Sequence, residues 1–323
     1  MDFCKLGATL YVPATNIDII SIANKEKYSS LRSVVFCMED SILEHELPFA
    51  IKNICKSLVY FEKKDIYRFV RPRNPANLKV LLDIPNISRI NGFVFPKITI
   101  KNIDTYFKIL KHYPNFKVML TLETEEVFNI NELYKLWNLL KDDFYKERII
   151  TIRIGGLDLL NVLGIRRDCE RTIYDTPIGH TISQLVTLFK PLGYNLSAPA
   201  YESLENIKIL REEVERDLLN GLLGKTAIHP NQIDIIQSLY KISQQDFEMA
   251  QAIIDPNSPA VFRMFGVMCE KATHWRWAQG ILKRGEIYGV NNNLKDINTD
   301  KILSNFKSTF LMNFSQFESF DFN

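Results

Sequence analysis

Short runs rich in β-branched and aromatic residues alternate with amphipathic segments along this chain, and the alternation repeats eight times. The strand-like runs are Thr9–Val12, Val34–Met38, Tyr67–Val70, Gly92–Phe95, Lys117–Leu122, Ile149–Ile154, Tyr194–Ser197 and Leu222–Ile228. Between them apolar residues recur at helical spacing, as in Leu47–Phe61, Ile103–His112, Val127–Leu140 and Leu204–Leu219. Strands separated by helices are joined by crossovers, so they pair in parallel. Eight such units predict an α/β chain closed into a (β/α)8 TIM barrel over residues 1–235. A helical extension follows over 236–290. It is read as two helices within Gln232–Ile254, a break at Pro256, Ser258 and Pro259, and an amphipathic segment Val261–Tyr288 carrying Trp275 and Trp277. Residues 291–323, rich in Asn, Ser, Asp and Phe, read as a peripheral tail.

Composition narrows the function classes. With 323 residues and 46% hydrophobic content the chain can bury a large core without staples. Lys and Arg total 40 against 38 Asp and Glu, a net charge of +2, which implies no surface for nucleic acid. The longest apolar runs, such as Leu218–Leu223, are far too short to span a membrane. Met1-Asp-Phe-Cys-Lys-Leu lacks the pattern of a secretory signal. Cys4, Cys37, Cys55, Cys169 and Cys269 are scattered and form no CxxC pair, as expected in a reducing cytoplasm and not in a disulfide frame or zinc knuckle.

The ends of the apolar runs carry the charges. Arg71 follows Tyr67–Val70, Glu123 follows Lys117–Leu122, Glu39-Asp40 follows Val34–Met38, and Asp158 lies just past Ile149–Ile154. In a parallel barrel all of these gather at one rim, where catalytic groups of this fold sit. Within the fifth run Met119, Thr121 and Glu123 share one face and point inward, and Val118, Leu120 and Leu122 face the helices. Glu123 and Asp158, from neighbouring strands about 4.8 Å apart, could share a Mg2+ ion, which favours carboxylate and water oxygens. Arg71 could grip a carboxylate or enolate oxygen with two hydrogen bonds. Competing readings make Glu123 or Asp40 a helix cap, with Ser41 an alternative to Asp40, and give Arg73 the role of Arg71.

Other motifs lead elsewhere. Gly221-Leu-Leu-Gly-Lys-Thr226 has Leu219 where a nucleotide-binding loop needs its first glycine, and Lys225 falls within a strand. His229 reads as structural, its ring bonded to nearby backbone, and His274 as exposed or interfacial. No HxH or HExxH spacing supports a zinc site.

Taken in order, Tyr11-Val-Pro-Ala-Thr-Asn16, Met38-Glu-Asp-Ser41, Val70-Arg71, Phe95-Pro-Lys97, Leu122-Glu-Thr124, Gly156-Leu-Asp158 and Gly221-Leu-Leu-Gly-Lys-Thr-Ala-Ile-His-Pro-Asn-Gln232 resemble the HpcH/HpaI aldolase and citrate lyase β-subunit superfamily over residues 8–290. The sequence looks closest to a C–C bond lyase branch associated with tellurium-resistance-type gene clusters. The resemblance implies a homo-trimeric or homo-hexameric barrel that makes or breaks C–C bonds through an enolate, with Mg2+ or Mn2+ on Glu123 and Asp158. Arg71 is then the substrate-binding arginine, with Glu39 and Asp40 beside it. Acyl-CoA lyase relatives carry a Gly-x-Met-Ile-Asp-x-Pro segment whose Asp acts in a neighbouring subunit's site. Gly266-Val-Met-Cys-Glu270 stands in that place here, so Glu270 resembles the acid/base with one more methylene, and residues 236–290 would serve both the oligomer and the active site. The family's Asp-Leu-Glu-Asp reads Cys37-Met-Glu39-Asp40. The basic residues that usually follow and help bind CoA are replaced by Glu44-His-Glu46.

The leading expectation is therefore a Mg2+-dependent lyase acting on a 2-oxo acid or a 3-hydroxyacyl substrate, acyl-CoA included. A Schiff-base aldolase built on Lys97 or Lys225 is one alternative. The other is a decayed barrel used as a binding scaffold.

Overall fold

The computed structural model describes residues 1–291. Residues 292–323, which hold nearly all of the expected tail, lie outside the described part. The chain divides into two compact units, Met1–Tyr240 and the segment from Lys241 onward.

In the first unit eight strands, β1 (Ala8–Pro13), β2 (Ser33–Cys37), β3 (Tyr67–Arg71), β4 (Gly92–Phe95), β5 (Lys117–Leu122), β6 (Ile149–Ile154), β7 (Leu196–Ser197) and β8 (Lys225–Ala227), form one parallel sheet. Each strand from β2 to β7 neighbours its sequence predecessor, and β1 also pairs with β8 through Ala8↔Lys225, Thr9↔Thr226 and Leu10↔Ala227. A bridge between Ala198 and Lys225 joins the two edges and closes the TIM barrel. Around it lie α1 (Ile19–Ala23), α2 (Leu47–Leu58), α3 (Pro75–Leu82), α4 (Ile103–Leu110), α5 (Ile130–Leu139), α6 (Asp143–Lys146), α7 (Gly156–Val162), α8 (Pro177–Phe189), α9 (Ile207–Leu219) and α10 (Asn231–Ser238).

The strands are buried on both faces, as expected when helices cover a parallel sheet. Val35, Phe69, Val94 and Met119 come from four successive strands and pack together in the barrel interior. Phe3 and Leu6, from the turn before β1, join this cluster at the N-terminal end of the strands. Outside, Phe95 stacks on Tyr106 at 4.3 Å and meets Phe107 edge-on at 6.0 Å, which ties β4 to α4. Such ring pairs add about 0.5–1.5 kcal/mol each beyond burial.

The first six predicted strands match within one residue at each end. The last two are shorter, for local reasons. Gly193 and Gly224 adopt positive φ (93° and 84°), which turns the chain just before β7 and β8. Pro199 has no N–H with which to extend β7.

The second unit contains β9 (Ile242–Ser243), α11 (Gln244–Ile254), β10 (Val261–Met264), β11 (Val267–Glu270), α12 (Lys271–Tyr288) and β12 (Val290–Asn291). The expected continuous amphipathic segment 261–288 is corrected here, because its first ten residues form an antiparallel hairpin. Phe265 and Gly266 make the turn, both at positive φ (51° and 81°), the backbone of the tight turns that match strand twist. Ala250, Ile253, Cys269, Ala278 and Ile281 form the core of this unit. Among the described residues no helix is long and apolar enough to cross a membrane.

Candidate active site

A cavity of about 290 Å3 opens among the C-terminal strand ends, lined by Tyr11, Asp40, Arg71, Thr121, Glu123, Arg153, Asp158 and Thr226, among others. Inward alternation along β5 places Glu123 there, one residue past the strand. Its carboxyl, 3% exposed, accepts a hydrogen bond at 2.8 Å from the backbone N–H of Lys97. Lys97 holds φ at +50°, a left-handed conformation uncommon outside glycine, and Asn102 fixes it by donating to its carbonyl at 2.8 Å. This backbone aims an N–H at Glu123. The expected alternative, Glu123 as a helix cap, is not found, because Thr124 occupies the cap position of the following turn.

Asp158 lies not on a strand end but in the first turn of α7, where the helix dipole favours its negative charge. Glu123 and Asp158 line the same cavity and influence each other's charge. Burial pushes Glu123 up to about 7; Arg71 opposes the rise and the Asp158 charge adds to it. Asp158 is raised as well, by burial and then by Asp40. Neighbouring buried carboxyls raise one another, and a cation between them would lower both. Gly155 leaves room for the pair, since a Cβ there would come within 2.5 Å of the Glu123 Oε2.

Arg71, at the end of β3, forms an ion pair with Glu39 at 2.7 Å and lies 3.7 Å from Asp40. Its Nε donates to Cys37 Sγ at 3.1 Å, and its guanidinium lies 5.5 Å from the Tyr11 ring. Burial works against its charge, and the anionic neighbours more than offset that. Glu39 also pairs with Lys97, which reaches both Asp40 oxygens at 3.0 Å. Burial raises Glu39; at Asp40 burial acts in the same sense, but the surrounding hydrogen bonds, that from Lys97 among them, and the Arg71 charge outweigh it and lower the carboxyl. The cap roles expected for Asp40 or Ser41 are absent, because the next turn is capped by Leu43 and Ser41 donates to the Cys37 carbonyl at 3.3 Å. Arg73 points away from the cavity and donates to the Glu39 and Ile42 carbonyls.

The two lysines weighed for Schiff-base chemistry are both committed elsewhere. Lys97 is raised by its hydrogen bonds to Glu39 and Asp40 against the effect of burial, so it stays charged. Lys225 faces the helix layer, fully buried, and pairs with Glu213 at 2.8 Å and Asp217 at 2.9 Å on α9. An imine-forming lysine needs a lowered pKa, and Lys225 is raised. His229 accepts a hydrogen bond from the Asn231 N–H at 3.3 Å, the backbone role expected of it. Glu270 belongs to the second unit, where it precedes α12 and accepts from Thr273 at 3.0 Å.

Three cavity residues escape a strand-end reading: Tyr11, Arg153 and Thr226. Arg153 lies in mid-strand between Ile152 and Ile154. A charge inside an otherwise apolar run was the available signal.

The donor set available for a cation is two carboxylates, with no His or Cys. Among the described residues no group of three or more His, Cys, Asp and Glu is arranged to hold a metal. That set suits a hard ion such as Mg2+, which keeps several waters and takes substrate oxygens.

A model of the C–C bond lyases of the TIM-barrel fold matches residues 1–290. No curated protein matches the chain by sequence. Among solved structures, the chain is similar to CitE from Mycobacterium tuberculosis in complex with magnesium, acetoacetate and coenzyme A. The identity is 17% over 88% of this chain and 99% of that one, with a TM-score of 0.66. The citrate lyase β subunit from M. tuberculosis complexed with oxaloacetate and magnesium matches at 16% identity, over 74% and 99% of the two chains, with a TM-score of 0.55. A citrate lyase from Burkholderia xenovorans LB400 matches at 14% identity, over 90% and 94%, with a TM-score of 0.69. At such identities these structures speak to the fold, and the family match carries the chemistry: the chain belongs to the C–C bond lyases of the TIM-barrel fold.

Proposed function

We propose that the protein is a Mg2+-dependent lyase, with Mn2+ able to substitute, that cleaves or forms a C–C bond through an enolate of a 2-oxo acid or 3-hydroxyacyl substrate. The observation that carries this reading is buried Glu123 and half-buried Asp158 lining one cavity with Arg71. Glu123 and Asp158 would hold the ion. When bound, it would polarise the substrate's oxygens and stabilise the charge that develops on them.

The remaining roles fall to the chain's own groups. In the cleavage direction Glu270, acting in a neighbouring subunit's site as its counterpart in the family does, would take the hydroxyl proton, the C–C bond electrons pass to the carbon beside the carbonyl, and an enolate and a carbonyl product result. Reprotonation of the enolate carbon completes the turnover, and the reverse sequence joins the two fragments. Arg71 is preorganised for the enolate oxygen: Glu39 and Cys37 fix the guanidinium, and burial strengthens its field. Glu39 and Asp40 act through Arg71 and Lys97. A charged donor placed in this way commonly contributes about 3–4 kcal/mol to the barrier.

Two further parts of the reading have support. Val261, Phe265, Val267 and Met268 on the hairpin, with Trp275 and Trp277 on α12, are exposed apolar groups in the second unit. Apolar surface gathered in this way marks an association face, and we assign it to a homo-trimer or homo-hexamer. None of the five cysteines is in a disulfide, which favours a cytoplasmic setting. The replacement of basic residues by Glu44-His-Glu46 weighs against a CoA polyphosphate at that segment.

Calorimetric titration of Mg2+ into wild type, Glu123→Gln and Asp158→Asn tests the central assignment. Wild type is expected to bind Mg2+, and each variant to lose most of that binding together with about a hundredfold or more in turnover. Equal Mg2+ affinity in all three proteins would refute the metal site.

A further inference from the structure

An enolate left by C–C cleavage must gain a proton at carbon, and few of the groups lining the cavity can supply one. Glu123 and Asp158 are assigned to the ion, and the Asp40 carboxyl is lowered and held by Lys97. Arg71 and Arg153 keep their protons at any working pH. Ser41 already donates to the Cys37 carbonyl, and the Thr226 hydroxyl accepts from Arg153. The Thr121 hydroxyl is sealed in the wall, and aliphatic hydroxyls are in any case very weak acids. Tyr11 remains.

Tyr11 stands beside Val35 in the register of β1 with β2, and its ring packs against the interior cluster that holds Val35, Phe69 and Met119. The residue is half-buried. Its hydroxyl makes no hydrogen bond among the described residues and, unlike that of Thr121, is not closed off from the cavity. An inward-facing tyrosine ordinarily finds a partner for its O–H, so a free one at a cavity wall is available to a ligand. Two guanidiniums flank the ring, Arg71 at 5.5 Å and Arg153 at 5.2 Å. Arg71 is paired with Glu39. Arg153 has no carboxylate within ion-pair distance among the described residues; its contacts are the Thr226 hydroxyl and the Met119 sulfur. A negative charge on the Tyr11 oxygen would thus meet a cation that nothing else balances. Burial raises the phenol, with the Arg153 and Arg71 charges working against the rise, so the group rests protonated.

We propose that Tyr11 is a further catalytic residue: on the lyase reading above, its hydroxyl gives the proton to the carbon of the enolate whose oxygen Arg71 holds. The phenol O–H bond breaks and a C–H bond forms. The negative charge passes from the enolate to the phenolate, where Arg153 and Arg71 stabilise it, and solvent returns the proton as product leaves. In the joining direction the same oxygen, as phenolate, takes a proton from the carbon beside the carbonyl. Arg71 links the two ends of this transfer, because it neighbours the Tyr11 ring and grips the oxygen next to the reacting carbon. Glu270 then handles the hydroxyl proton alone, and the carbon proton belongs to a group within the barrel.

This half of the reaction can be watched without cleavage, as exchange of the methyl protons of pyruvate for deuterium in mildly alkaline D2O with Mg2+, followed by proton NMR. Tyr11→Phe keeps the ring and leaves no hydrogen bond unmet. It is expected to exchange about a hundredfold more slowly or worse, with Mg2+ affinity within about threefold of wild type. Site-specific 3-fluorotyrosine in place of Tyr11 keeps the shape but carries a more acidic hydroxyl, and is expected to exchange several-fold faster than wild type. Wild-type rates in both proteins would overturn the role of Tyr11 and leave the lyase reading in place. A slow Tyr11→Phe that has also lost Mg2+ binding, beside an unaltered rate with fluorotyrosine, would make the residue structural and likewise overturn the role. A wild type that exchanges no pyruvate proton would remove the lyase reading and this role with it. If EDTA leaves exchange intact while Tyr11→Phe abolishes it, Tyr11 stands and the Mg2+ reading falls.

Discussion

Glu123 concentrates the chemistry of the site in one titration. Its folded value of about 7 lies above the ordinary 4.5, so protonation stabilises the metal-free protein. That contribution is complete below about pH 4.5 and is lost as pH rises through 7. A cation that binds the deprotonated pair reverses the trend. The rise in Tm on adding Mg2+ should therefore grow between about pH 5.5 and 7 and level off above, as calorimetric scans at a series of pH values would record. A pH-independent shift would argue that the ion binds elsewhere. Glu39 makes a different prediction. It is buried beneath Arg71, and Glu39→Ala would leave that guanidinium without its closest anion, a loss of about 3–5 kcal/mol in urea unfolding. Adding Arg71→Met to Glu39→Ala should recover part of that stability, though not activity.

At the scale of elements, Gly155 offers the sharpest test. A Cβ at that position meets Glu123, so Gly155→Ala should leave the barrel folded, at a loss of about 1–3 kcal/mol, and weaken Mg2+ binding by tenfold or more. Unchanged affinity would mean that the strand-end geometry tolerates displacement of Glu123. Much of this level was legible in the sequence, because period-two and 3.6-residue patterns report directly on burial. The strand-end charges at Arg71, Glu123 and Glu39 followed from the same patterns. Direction was harder to read. Lys97 earns its place through a left-handed backbone, which no periodicity signals. Arg153 faces inward from mid-strand, where a charge is normally excluded. The β10–β11 hairpin was hidden because Phe265 opens its turn at positive φ, a position that ordinarily signals itself by Asn, Asp or Gly.

The whole molecule depends on how each unit keeps its charges and its apolar surface. Lys225 ties β8 to α9 through Glu213 and Asp217 in full burial, and burial pushes Asp217 up to about 6. Lys225→Met removes one member of that cluster and strands two acids, so it should cost about 3–5 kcal/mol in urea unfolding; borohydride trapping with 2-oxo acids should label neither it nor Lys97. In the second unit, Val267→Asp with Met268→Asp should reduce the mass measured by light scattering to that of smaller species, because both side chains are more than half exposed. An unchanged mass would assign the association face to other residues. The central claim is that Glu123 and Asp158 hold one divalent ion opposite Arg71, and Mn2+ reports on it directly. Anomalous diffraction from crystals grown with Mn2+ is expected to place one peak in contact with both carboxylates; a peak bound to neither, or no peak in the cavity, would contradict the account.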